Sequence, residues 1–421
     1  MIHTFELFPG VTLRCYPDHR FKHSCLSLQL VRPMCREKAA FNALLPAVLL
    51  RGCKRCPDLR DITLRLDDLY GASVGTLVRR VGDYQTTGFF ASFVEDRYAM
   101  EGDAVLAPMV AFLGELLLDP VLEEGVFLRD FVEGEKKNLI STIESQLNDK
   151  RAYAMEQMMR RMCKEDTFGL SRLGEKEDVA AITPETLFDH YQKILGTSRI
   201  DVFYVGSAPA QQVADLVKAL LGDISRNYVN LPEQTGFHTC PGGSYEEQME
   251  VSQGKLCMGF TSPVTIRDEG FVAMQLLNMI FGGGMTSKLF MHIREKLSLC
   301  YAIGSGYHGA KGIFSVSAGI DSGKKDQVQE EILKQLEACR RGEISQEELN
   351  AAKQALRASL LSTPDAPASL EGYYASAALS GLMLTPEAYI TAVEQVTVEQ
   401  VAEAARLLEL HTVYFLKGVT E

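Results

Sequence analysis

Two histidines four residues apart, His19 and His23, have the spacing at which one helical face can present two imidazoles to a metal. Their neighbours Arg20 and Lys22, and the β-rich runs on either side, favour a solvated turn instead. Asp67 and Asp68 form a carboxylate pair suited to acid–base work, but Gly71 follows closely and they read as the exposed last turn of a helix. Cys53 and Cys56 stand at dithiol spacing. A redox pair needs a strand-to-helix junction, and a zinc knuckle needs a second pair; neither is evident, so the pairing reads as incidental. Gly282, Gly283 and Gly284 lack the Lys-Ser/Thr partner that would reach a phosphate. None of the eight histidines falls in H-x-x-E-H or H-E-x-x-H, and no histidine is recognisably placed to activate a Ser or Cys nucleophile.

The elements that must position these residues come twice. Thr183-Pro184-Glu185-Thr186-Leu187 opens a helix with a capping Thr and Pro at the first helical position. That helix leads into the strand Ile200-Asp201-Val202-Phe203-Tyr204-Val205-Gly206. Thr397-Val398-Glu399-Gln400-Val401 repeats the opening 214 residues later and leads into Thr412-Val413-Tyr414-Phe415-Leu416-Lys417-Gly418. A charged amphipathic helix over 132–147 matches 346–361, and a hairpin-like stretch over 73–93 matches 302–320. The chain is a duplication. Its two halves are expected at 1–226 and 246–421, joined by a linker over 227–245 that holds Pro232, Gly236, Pro241, Gly242 and Gly243. Strands and helices come in groups: Cys25 to Val31 alternates apolar and polar as a half-buried strand, while Ala40–Leu50 and Val105–Leu118 read as apolar helices. The expected fold class is α+β, each domain an antiparallel-rich sheet with helices packed on one face.

Composition narrows the function. Lys+Arg 43 against Asp+Glu 55 gives a net charge of −12 without a long single-sign block, which argues against nucleic acid as a partner. The most membrane-like run, Ala104–Leu118, carries Gly114 and Glu115 and is too short to span a bilayer. The start has no basic region followed by an apolar stretch, so no membrane partner is expected and the expected location is the cytoplasm. The ten cysteines are mostly scattered singly through apolar runs and read as reduced, buried thiols.

Phe281-Gly282-Gly283-Gly284-Met285-Thr286-Ser287-Lys288-Leu289-Phe290, followed by Ile293-Arg294-Glu295-Lys296-Leu297-Ser298-Leu299-Cys300-Tyr301, resembles a signature of the pitrilysin, insulysin and mitochondrial-processing-peptidase family of zinc peptidases, the inverzincins. That signature has a glycine cluster, Ser-Arg-Leu-Phe, Arg-Glu-Lys, and a Tyr seven residues after the Arg; Lys288 for Arg and Ser298 for Gly are the departures. The resemblance covers essentially the whole chain and implies half of a four-domain clamshell. It also implies H-x-x-E-H on a first-half helix, where residues i and i+4 hold zinc and the i+3 Glu is the base. Leu49-Leu50-Arg51-Gly52-Cys53 fits the end of that helix. Counting back from it puts Ala43 and Ala47 at the histidine positions and Pro46 at the base. The third ligand, a Glu on a later helix, falls on Thr142, with Glu135 at the supporting acidic position. Glu144 would face about 200° round that helix.

The resemblance therefore implies a chain with no catalytic or metal-ligating residues for zinc hydrolysis. No cofactor is expected in this chain; zinc is expected in a partner. Arg294 and Tyr301 match the family's second-half pair that holds the substrate backbone and the oxyanion, and Gly282, Gly283 and Gly284 match a substrate-cleft loop. The implied partners are peptide substrates and a zinc-bearing peptidase subunit of similar length, or else a second copy of this chain. The competing expectations are a non-enzymatic peptide-binding or scaffold protein, and an independent hydrolase of unrecognised chemistry.

Overall fold

The computed structural model describes residues 2–222, 224–238 and 240–418; Met1, Asp223, Thr239 and 419–421, all inside the expected domains and linker, lie outside that set. Two compact units result, and neither is contiguous in sequence. Unit 1 is Met1–Glu144, Leu170–Glu233 and Pro364–Ser376; unit 2 is Ser145–Gly169, Gln234–Thr363 and Ala377–Glu421. A short segment of each half thus belongs to the unit built mainly from the other half.

In unit 1 six strands form one sheet: β1 (His3–Phe8), β2 (Val11–Pro17), β3 (His23–Pro33), β4 (Ser73–Val81), β5 (Tyr84–Val94) and β6 (Arg199–Gly206), in the order β1-β2-β6-β3-β5-β4. Only β2 and β6 run parallel. Unit 2 has five: β7 (Gly243–Met249), β8 (Gly254–Thr261), β9 (Cys300–His308), β10 (Ile313–Ile320) and β11 (Glu409–Gly418), in the order β9-β10-β8-β11-β7. Its one parallel pair is β7 with β11. Matching β2 with β7, and so on to β6 with β11, makes the two orders identical apart from the extra edge strand β1. The hairpins expected over 73–93 and 302–320 are β4–β5 and β9–β10. The described residues of the expected linker are irregular through Gly242, but 243–245 enter β7 because they pair with Thr412, Val413 and Tyr414 of β11.

One face of the unit 1 sheet carries helix α1 (Arg36–Leu49) and the helices Leu106–Leu118, Pro184–Thr197 and Ala210–Leu221. Leu26, Leu28 and Leu30 of β3 meet Leu44, Leu45 and Val48 of α1 in its core; each such side chain contributes about 1.5–3 kcal/mol on burial. The expectation that β3 is half-buried fails in an informative way. The strand is buried on both faces from Ser24 to Val31. Helix α5 (Pro367–Ser380) supplies the second cover: Leu370 packs on Cys25 and Val205. The carboxylate of Glu371, 1% exposed, accepts from Ser27 Oγ (2.7 Å), Gln29 Nε2 (2.9 Å) and Arg79 Nη1 and Nη2 (3.0 and 2.8 Å). The polar residues of the alternation face a buried anion, and each hydrogen bond offsets its desolvation.

Unit 2 repeats the device with helix α3 (Lys150–Met162). Its Ala154, Met158 and Met162 pack with Cys257, Tyr414 and Leu416. Gly259 permits the approach: a Cβ there would stand 2.5 Å from Met162 Sδ and 2.7 Å from Met158 Sδ. The segment following α3 is held by a buried ion pair, Lys311 Nζ to Asp166 Oδ1 at 3.1 Å.

Candidate functional site

The positions where the resemblance puts zinc ligands lie on α1, and they are filled with packing. Ala43 is 5% exposed and Leu44, Leu45 and Pro46 are buried, while Ala47 is half-buried. Pro46 lacks an N–H, so the carbonyl four residues back, on Asn42, loses its helical donor. Thr87 of β5 supplies the replacement, its Oγ1 donating to Asn42 O at 2.6 Å. The Asn42 side chain, 2% exposed, donates through Nδ2 to Gln85 Oε1 at 2.8 Å. Its Oδ1 meets His190 Nε2 at 2.7 Å, which fixes that ring nitrogen as a donor, since an amide oxygen can only accept. Gln85 Nε2 donates in turn to Ala39 O (3.1 Å) and Arg172 O (2.7 Å). Burial first, and then the Lys38, Arg32 and Lys193 charges, push His190 down to about 3, so this imidazole is neutral at physiological pH.

Helix α2 (Arg129–Ser145) carries the third-ligand position. Thr142 is exposed and its hydroxyl donates back to Asn138 O at 2.9 Å. Glu135 is taken by Arg51 Nη1 at 3.3 Å and Asn138 Nδ2 at 3.1 Å. Glu144 is exposed, 3.6 Å from Lys176 Nζ. The residues do not fit a zinc ion. Alanine offers no lone pair, proline no base, and the one hydroxyl is engaged with its own helix. No group of three His, Cys, Asp or Glu side chains among the described residues is arranged to hold a metal.

The second-half residues stand in unit 2 on unusual backbone. Helix α4 (Phe271–Phe281) ends in the glycine loop: Gly282 and Gly283 N–H both bond to Asn278 O (3.0 and 2.8 Å), and Gly282 O accepts from Ser305 N at 3.1 Å. Gly282 is buried, whereas Gly283, Gly284 and Met285 are exposed. Residues Phe290–Lys296 form a π-helical turn, a geometry over-represented at functional sites. Arg294 projects from that turn, its side chain 42% exposed, stacked 4.6 Å over the Phe290 ring and 3.8 Å from Glu295 Oε1. Ser298 holds φ +48°, the left-handed conformation that explains why glycine is usual there. The turn packs on β9. Between Cys300 and Ala302 the β9–β10 register shifts, leaving Tyr301 as the bulged residue. Bulges re-aim side chains, and Tyr301 is 57% exposed, its hydroxyl donating to Asp321 Oδ1 at 3.2 Å. It is not part of the strand's packed face. Lys288, the substituent for Arg, is buried and pairs with Glu348 at 2.8 Å.

The other sequence candidates dissolve into structure. His19 and His23 are exposed, on a bend and at the first residue of β3. Asp67 and Asp68 are exposed ahead of a helix stop at Tyr70 and Gly71, both with positive φ. Cys53 and Cys56 close a tight turn through reciprocal backbone bonds of 2.9 and 3.0 Å. Burial, and then the neighbouring Cys53 thiol, push Cys56 up to about 11, the opposite of an activated dithiol. Gly71-Ala72-Ser73-Val74-Gly75 spells a nucleophile-elbow string that was not among the sequence candidates, and Ser73 opens an exposed edge strand with no helix after it. Sequence reasoning missed the Asn42–Gln85–His190 network. Its signal was there: an Asn and a Pro interrupting an otherwise apolar helix.

The comparisons agree with this architecture. Residues 181–356 match the family described as "Peptidase M16 inactive domain". A Bacillus subtilis protein named "Probable inactive metalloprotease YmfF" is 30% identical over 97% of this chain and 96% of its own length. The crystal structure of a conserved protein from Enterococcus faecalis superposes with a TM-score of 0.92 at 28% identity, covering 100% of this chain and 99% of that one. A peptidase M16 inactive domain from Pseudomonas fluorescens gives 0.81 at 18%, covering 100% and 98%, which is a likeness of fold. No helix among the described residues is long and apolar enough to cross a membrane.

Proposed function

The chain belongs to the peptidase M16 family, and from that premise we propose that it is the zinc-lacking subunit of a two-chain metallopeptidase. In this reading it supplies Arg294 and Tyr301 to the active site of a zinc-bearing partner of its own size, for cleavage of short or unfolded peptides. One contrast supports the reading: the two units treat the polar groups at these positions in opposite senses. At the positions that the resemblance assigns to ligands and base, unit 1 has Ala43, Pro46, Ala47 and Thr142, and its helix α1 holds a satisfied hydrogen-bond network. Unit 2 keeps an Arg and a Tyr at family spacing, both held out to solvent by a π-turn and a bulge. A bound peptide carbonyl would accept from the Arg294 guanidinium and from a Tyr301 hydroxyl turned away from Asp321. Such donors stabilise an oxyanion once water is excluded. We place the subunit in the cytoplasm, consistent with ten unbridged cysteines.

The test mixes this chain with a zinc-bearing relative of similar length and follows cleavage of unstructured peptides. The reading expects a gain over the partner alone that Arg294→Ala abolishes. Peptide binding with no gain from any such partner would move the assignment to a scaffold or peptide-binding protein. Chelator-insensitive cleavage by the pure chain would move it to an independent hydrolase.

A further inference from the structure

Unit 2 carries a charge arrangement that the chain's own residues leave unbalanced. An open cleft of about 570 Å³ is bounded by the start of α3 and the 250–255 stretch that leads into β8. Two cations lie over its floor. Arg151 Nε donates to Ser317 Oγ of β10 at 3.2 Å, and its Nη2 lies 3.6 Å from where a Cβ on Gly304 of β9 would be. Lys255 Nζ lies 3.5 Å from the corresponding point on Gly319 of β10 and 3.4 Å from Gln253 Oε1. The small residues let both side chains lie close over the sheet.

No carboxylate among the described residues pairs with either cation. Asp149 lines the cleft but caps α3, accepting from Arg151 N and Ala152 N at 3.0 Å. Glu250, also in the lining, is exposed and forms no ion pair with Arg151 or Lys255. Burial, and then the Arg151 charge, lower the Lys255 ammonium, with Asp149 opposing. Lys150 adds a third cation, and the first turn of α3 has no acidic residue, although a helix start disfavours positive charge. In a chain of net charge −12, exposed Arg151 and half-buried Lys255 stand together without a carboxylate partner, an arrangement that an anion would favour.

The position says which anion. Lys255, Gly319 and Ala302 form one row across β8, β10 and β9, and Tyr301 is the residue immediately before Ala302. We infer that this cleft is a carboxylate subsite, in which Arg151 and Lys255 bind an acidic side chain or the C-terminal carboxylate of a peptide lying alongside Tyr301. The inference rests on the peptide-binding reading of unit 2 and adds to it a substrate preference set by residues outside the family signature.

The experiment uses the full chain and a set of fluorescently labelled nonapeptides of one neutral sequence, read by anisotropy at low ionic strength. One arm exchanges a single Gln for Glu at successive positions; the other compares a free C-terminal acid with its amide. The expected result is about tenfold tighter binding of the peptides that place a carboxylate at the site, the size of one charge-assisted contact. The arm that shows it identifies side chain or terminus. Arg151→Gln with Lys255→Gln should erase the preference while leaving the neutral amide's affinity unchanged, and Lys255→Arg should retain it. Peptides that bind without any acidic preference overturn the subsite and leave the peptide-binding reading standing. A preference that survives the double substitution also overturns it. A chain that binds no peptide contradicts both.

Discussion

Two regions in the two copies of one fold treat their polar groups in opposite ways. At the end of α1 in unit 1, backbone and side chains are satisfied internally: Thr87 caps the carbonyl freed by Pro46, and Asn42 bridges Gln85 and His190. At the glycine loop and π-turn of unit 2, the polar groups stay outside. Arg294 rests on Phe290, Tyr301 stands on a bulge, and Ser298 holds a left-handed backbone. On the proposed reading, a region without chemistry can place its polar groups internally, whereas a region that binds substrate leaves them available and tolerates local strain.

That contrast can be broken or sharpened by substitution. The largest effect belongs to unit 2 and to activity: Arg294→Ala should lower kcat of the mixed enzyme about 10²–10³-fold, as loss of an oxyanion donor does, with the melting temperature unchanged. In unit 1 the effects fall on stability. Asn42→Ala strands Gln85 and His190 and should cost about 3 kcal/mol in chemical denaturation. His190 gives the comparison a pH signature. Its folded value is depressed to about 3 against about 6.5 unfolded, so the unfolded chain binds the proton more readily. The stability it confers is present above pH 6.5 and is lost as pH falls toward 3. Unit 1 should weaken by about 2 kcal/mol between pH 7.5 and 5, and His190→Gln should flatten that slope. Thr87→Val should cost about 1–2 kcal/mol by leaving the Asn42 carbonyl unpaired; adding Pro46→Ala, which restores an N–H, should recover part of it. Smallest of all, Tyr301→Phe should change stability by less than about 0.5 kcal/mol, as exposed positions do.

How much of this was legible in sequence follows from what each signal depends on. The duplication and the two sheets were written in local features: a capping Thr with Pro and a β-branched run. The spacing of Arg294 and Tyr301 was readable, but the π-turn and bulge that expose them were not; the bulge arises from register against β10. The exchanged helices α3 and α5 were hidden for a different reason. Their partners lie in the other half of the sequence, and periodicity carries no information about which sheet a helix will cover. The alternation in β3 looked half-buried because Ser27 and Gln29 are polar, and only Glu371, more than 340 residues away, makes them interior.

The most direct test sets the two regions against each other in one assay. Cleavage by the mixed enzyme is measured with Ala47→Ser and Thr142→Ala in unit 1 and, separately, with Arg294→Ala in unit 2. The account predicts activity within about twofold of wild type for the first pair and about a hundredfold loss for the second. Equal sensitivity of the two units, or full activity with Arg294→Ala, would contradict it.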